Sequence, residues 1–186
     1  MPAKEVSRDD AAAVLRRGHD EVARLVARLT EASAARPGLG GGDWSAKDLL
    51  GHLTSWEEHA LAALDAWSRG RAAPIDQALR RDGLDAVNLA EVRSKQALPY
   101  EQIRGDFEAV HASLLLRIGA MTDAAWAAPP TPRHRRSLGA RLGNLLIGAS
   151  GPFGHADSHL ADLRELVKRQ ADQEGREPRS WKKRSR

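Results

Sequence analysis

The chain has 186 residues, 41% of them hydrophobic and 29% charged, with no cysteine and a formal net charge of +4. That length suits one domain with its own core, and the lack of cysteine excludes a disulfide framework, a thiolate metal site and a cysteine nucleophile. The charge sits at one end: Arg176, Arg179, Lys182, Lys183, Arg184 and Arg186 against Glu177 give the last eleven residues +5, which leaves −1 on residues 1–175 and excludes the basic domain of a nucleic-acid binder.

The N-terminal residues Met1 to Asp10 are polar and charged, unlike a secretory signal, and no stretch has the apolar length of a membrane span. The expectation is a soluble, cytoplasmic protein with no membrane partner. Richness in Ala, Leu, Arg and Glu, with few aromatic residues, favours helix throughout. Ser7 with Asp10 caps a first helix, predicted from about Arg8 to Ala35, on which Val14, Leu15, Gly18, Val22, Leu25, Val26 and Leu29 follow helical spacing. Arg36-Pro37-Gly38 and Gly40 to Gly42 end it. A second helix starts at the Ser45 cap, with Asp48 three residues on, and runs to about Arg69 with Leu49, Leu53, Trp56, Ala60, Ala63, Leu64 and Trp67 inward.

Gly70 to Gly83 reads as a connection with a turn of helix near Asp76 to Arg80, and Leu84 to Ala97 as a short helix. A proline-started helix follows from Pro99 to about Met121, with a stripe of Ile103, Phe107, Val110, Leu114, Ile118 and Met121. Pro129, Pro130 and Pro132, then Arg133-His134-Arg135-Arg136, form a long crossing loop. The fourth helix is predicted over about Leu138 to Gln170, kinked at Gly151-Pro152 just before His155. The fold predicted is all-α: an antiparallel four-helix bundle with long connections over residues 1–172, followed by a basic, disordered tail at 173–186 that could touch nucleic acid.

Three of the seven histidines carry chemistry by their spacing. His155 and His159 are four apart on the predicted fourth helix, so both project from one face, the face shared with Leu163 and Leu166. His52 shares a stripe with Trp56 and His59, beside Leu49, and also points inward. Three neutral imidazoles can hold a divalent transition metal and leave positions open for water or substrate. His59 is the alternative ligand, and His19, His111 and His134 read as surface or loop residues. Glu57, Glu58, Asp157 and Asp162 stand close enough in sequence to orient a ligand histidine or to act as bases. Trp44 and Trp56 either wall a pocket or pack as core, and Arg133 to Arg136 either docks an anion or stays solvated.

These residues resemble the DinB-like superfamily of metal-binding four-helix bundles, and within it the ClbS/DfsB branch. The resemblance rests on Trp44-Ser45-Ala46-Lys47-Asp48-Leu49-Leu50-Gly51-His52-Leu53 with Trp56-Glu57, on Leu84-Asp85-Ala86-Val87-Asn88, and on Gly154-His155 through His159-Leu160 with Asp162, Leu163 and Arg164. It implies nickel, zinc or a similar ion on His52, His155 and His159. It further implies one of two activities: a detoxification or resistance hydrolase acting on an electrophilic small molecule, or a transferase or isomerase using a low-molecular-weight thiol such as mycothiol. A homodimer is also common among similar proteins, and a non-catalytic, ligand-sequestering bundle is the remaining alternative. Ser150-Gly151-Pro152-Phe153 departs from the Asn-Thr-aromatic run often found in that branch, and no tyrosine lies near Asn88.

Overall fold

The computed structural model describes residues 6–132 and 134–176; most of the predicted basic tail, and Arg133, lie outside them. Among the described residues there are nine α-helices and no strand: α1 (Arg8–Val26), α2 (Glu31–Ala34), α3 (Ala46–Ser68), α4 (Pro74–Asp82), α5 (Leu84–Lys95), α6 (Tyr100–Gly119), α7 (Asp123–Ala127), α8 (Leu138–Leu145) and α9 (Leu160–Arg176). None of these described helices is long and apolar enough to cross a membrane. The sequence signals that start the long helices work as expected. The Ser7 side chain accepts from Asp10 N–H. Ser45 and Asp48 form a full capping box, each side chain satisfying the other's backbone amide.

Three boundaries differ from the sequence reading. The first predicted helix stops at Val26, and Thr30 caps a separate turn, α2, through its own capping box with Ser33. Serine and threonine compete with the helix for backbone amides, so a good cap inside an amphipathic run ends it. The fourth predicted helix is broken rather than kinked. It ends at Leu145, and the chain turns back on itself before a 3₁₀ turn at Ala156–Ser158 leads into α9. The predicted turn in the second connection extends to the nine residues of α4, started by Pro74.

The architecture is an antiparallel four-helix bundle with long connections, built from α1, α3, α6 and α9. Its core is two apolar clusters stacked along the axis. One holds Leu15, Trp56, Ala60, Trp67, Leu114, Ile118 and Phe153. The other holds Val22, Leu25, Leu49, Leu53, Ile103, Phe107, Leu163 and Leu166. Residue order along the helices shows that α1 runs from the first cluster towards the second, while α3 and α6 run the opposite way; α9 packs in the second cluster. The connection through α4 and α5 is what lets the parallel neighbours α3 and α6 pack side by side. Between the clusters lies a transverse layer of polar side chains: His19 on α1, His52 and Glu57 on α3, His111 on α6, and His155 and His159 on the last segment. A bundle that interrupts its apolar core with five imidazoles gives up burial energy there, and such layers in bundles are where sites are built.

Candidate metal centre

His52 sits on α3 two turns beyond the Ser45 cap and is only 2% exposed. His155 reaches the same point by a different route. After α8, Gly148 and Gly151 exchange backbone hydrogen bonds of 3.0 and 2.9 Å, and His155 N–H then donates to Leu146 C=O at 3.1 Å. The loop closes so tightly that a Cβ on Gly148 would lie 2.0 Å from the Gly154 carbonyl oxygen. Phe153, in the left-handed region at φ 65°, anchors the turn with a buried ring stacked 5.8 Å from Trp126. The Ser158 hydroxyl accepts from Ala149 N–H at 2.8 Å, and the Ser150 hydroxyl donates to Asp157. His155 and His159 therefore flank the 3₁₀ turn rather than one α-helical turn. Both have right-handed helical dihedrals, which still leave the two imidazoles on one side.

The three rings converge. His52 Nε2 and His155 Nε2 are 3.1 Å apart, ring centroids are separated by 4.9 to 5.3 Å, and one ligand nitrogen from each ring lies within 4.8 Å of the others. Two imidazole nitrogens sharing a tetrahedral ion at 2.0–2.1 Å would stand ~3.3 Å apart. The pair is thus at ligand spacing, and the donor set fits zinc or nickel. Electrostatics agree with that use. Burial, then the neighbouring histidines, pushes His52 down to about 2. Burial and His159 push His155 down to about 4, and burial lowers His159 against the opposing pull of Asp162. Neutral imidazoles are what a metal requires. The Nδ1 of His52 is buried with no hydrogen-bond partner among the described residues.

The rings form the floor of a cavity of about 470 Å³, a size suited to a small organic molecule. Trp56, Trp67, Ile75, Leu79 and Leu145 supply apolar wall. Trp56 is held edge-on to His155 at 5.7 Å by donating its indole N–H to Asn88 Oδ1 at 3.0 Å. Arg141 lies over the Trp67 ring at 5.3 Å and pairs with Asp76 at 3.0 Å, while its Nε is buried with no partner among the described residues. Exposed Arg136 stands at the rim. Among the described residues of the basic loop singled out by sequence, Arg136 lines the cavity.

His59 does not join the triad; it pairs with Glu91 at 3.0 Å. His134 is a loop residue, as expected, bonded to Thr131 at 2.8 Å. His19 and His111, read as surface residues, are buried: 6% and 5% exposed, stacked on each other at 3.9 Å, with His19 also stacked on Phe107 at 4.2 Å. The signal was present, because His111 is four residues after Phe107 and three before Leu114, on the apolar stripe of α6. Glu57 holds His111 Nδ1 with both oxygens at 3.0 and 3.1 Å, whereas Glu58 pairs outward with Lys95 at 2.7 Å. Trp44 lies 5.0 Å from His52, closing the far side of the triad. Asp157 lies 3.5 Å from Arg17, and Asp162 packs beneath Gly40.

Fold and site together define a four-helix bundle with an inward-facing three-histidine centre at the base of an open pocket. The chain belongs to the mycothiol maleylpyruvate isomerase N-terminal domain family, whose model matches residues 15–146, and so to the DinB-like superfamily. The matched span contains His52 and stops short of His155 and His159. No curated protein matches in sequence. Among solved structures, an uncharacterised protein from Escherichia coli UTI89 is similar at 12% identity with a TM-score of 0.75, over 89% of this chain and 95% of that one. The colibactin self-resistance protein ClbS, solved in complex with a dsDNA, is similar at 13% identity with a TM-score of 0.65, over 93% and 98%. At those identities the likeness is one of fold.

Proposed function

We propose that the pocket is the active site of a metal-dependent enzyme that adds an external nucleophile to an electrophilic small molecule, with His52, His155 and His159 as the metal ligands. The observation that carries this is the placement of three neutral, inward-facing imidazoles at ligand spacing on the floor of a cavity open to solvent. A bound zinc or nickel ion would lower the pKa of a coordinated water or thiol and so make a nucleophile available at neutral pH. The chain's own residues do the rest. The Trp56 and Trp67 faces with Ile75 and Leu79 exclude water from an apolar substrate body. Arg136 and the Asp76-anchored Arg141 receive an anionic group on the substrate or on the thiol.

Two nucleophiles are compatible with this site. The family match supports a low-molecular-weight thiol, as in a transferase or isomerase of the mycothiol type, and a chain without cysteine must take that thiol from outside. Water, as in a hydrolase of the ClbS kind, is the second reading, supported by the shared fold. The test is a screen of small electrophiles with zinc- or nickel-loaded protein, each run with and without a thiol. Turnover only with thiol establishes the transferase reading; turnover with water alone establishes the hydrolase. Stoichiometric capture without turnover contradicts both and leaves a sequestering protein.

A further inference from the structure

Behind the triad, on the side away from the large pocket, lies a second and much smaller cavity of about 20 Å³. A single water needs roughly 10–15 Å³ and two to four polar partners. This cavity offers both. Its wall is apolar, with Leu15, Leu53 and Phe153, except for three groups: His155, Glu57 and His19. His155 lines both spaces, so its ring is the partition between them. Its Nε2 is committed to the triad, 3.1 Å from His52. The other ring nitrogen, Nδ1, has no hydrogen-bond partner among the described residues. Across the cavity stands Glu57, whose carboxylate is held from behind by His111 Nδ1, and whose side chain is 14% exposed.

We propose that Glu57 is a positioning residue for His155, acting through one ordered water in this cavity. The His155 Nδ1–H donates to the water, and the water donates to the Glu57 carboxylate. That arrangement fixes the His155 tautomer so that Nε2 carries the lone pair towards the triad, and it raises the basicity of that nitrogen. Metal-ligating histidines commonly donate their outer N–H to a carboxylate, a carbonyl or a water, and loss of that partner typically lowers metal affinity by about tenfold to a hundredfold. Here the partner would come from the same helix that supplies His52. His111 contacts Glu57 through Nδ1 and His19 stacks on His111, so the carboxylate lies in the same polar layer. The consequence for affinity rests on the metal reading proposed above; the tautomer does not.

Two measurements on the full chain separate these. The first is ¹⁵N-edited NMR of the imidazoles in chelator-treated protein, comparing wild type, Glu57→Gln and His111→Gln. Wild type and His111→Gln are expected to show His155 protonated at Nδ1, and Glu57→Gln a mixture with the Nε2–H form. The same tautomer in wild type and Glu57→Gln, or an equal loss in His111→Gln, overturns the proposal, because the effect would then belong to the buried cluster rather than to Glu57. The second is zinc titration of the same three proteins, with affinity expected to fall about tenfold or more in Glu57→Gln alone. Wild type that takes up no zinc would refute the metal reading and leave the tautomer comparison to decide this one. If Glu57→Gln does not fold, Glu57→Asp, one methylene shorter, takes its place with the same expected direction.

Discussion

Acid should destabilise the metal-free protein above the pH at which its carboxylates titrate. His52 and His155 are held near 2 and 4 in the folded chain, against 6.5 when unfolded, mainly by burial. Between those values the unfolded chain binds protons that the folded chain refuses, so stability rises with pH across the window and is lost as pH falls below about 6.5. Lowering pH from about 7.5 to about 5 should cost about 2 kcal/mol for each imidazole, a figure insensitive to how far below 5 the folded values lie. The two together give about 4 kcal/mol, a large share of the 5–15 kcal/mol typical of a domain. His159 and His19, both lowered by burial, act in the same direction. Glu21, held near 2 by Arg24 and Arg164, titrates below this window. The assay is urea unfolding of chelator-treated protein at several pH values, alongside a His52→Gln/His155→Gln variant in which most of the slope should disappear. A loss below about 1 kcal/mol in wild type would mean that the rings are solvated in the folded state, and the buried layer would be refuted.

Two further outcomes follow from the local geometry. Gly148→Ala places a methyl 2.0 Å from the Gly154 carbonyl and must open the turn that carries His155, so it should destabilise the fold by about 1–3 kcal/mol and abolish metal uptake, whereas Gly119→Ala, with open space around it, should do neither; thermal unfolding and a metal titration check both. Ser45→Ala removes one half of the capping box at the start of α3 and should cost about 1 kcal/mol by denaturant unfolding while leaving metal uptake in the folded protein unchanged.

Much of the scaffold is legible in the chain because its signals are local. Ser7 with Asp10, Ser45 with Asp48 and the stripe from Ile103 to Ile118 are read from residues a turn or so apart, and each starts or faces a helix where the spacing predicts. His52 lies inward on α3, as its apolar neighbours indicate, whereas His155 and His159 approach it from a 3₁₀ turn and not from the predicted helix face. The break between Leu145 and His155 was not legible. Gly151-Pro152 signals a disruption, but the depth of the turn is set by contacts that spacing does not encode: Gly148 against Gly154, and Phe153 against Trp126. His19 and His111 were misread because each was weighed alone. Their burial depends on stacking between α1 and α6, with Glu57 from α3 completing the set, and such cross-helix satisfaction of polar groups is invisible to a single-helix periodicity.

The proposed metal centre of His52, His155 and His159 makes a stoichiometric prediction. Elemental analysis of untagged protein, wild type beside a His52→Ala/His155→Ala/His159→Ala variant, tests it most directly. Close to one equivalent of zinc or nickel is expected in wild type and none in the variant, with both proteins folded. Wild type that stays metal-free after incubation with zinc and nickel, or a variant that retains the ion, would contradict it.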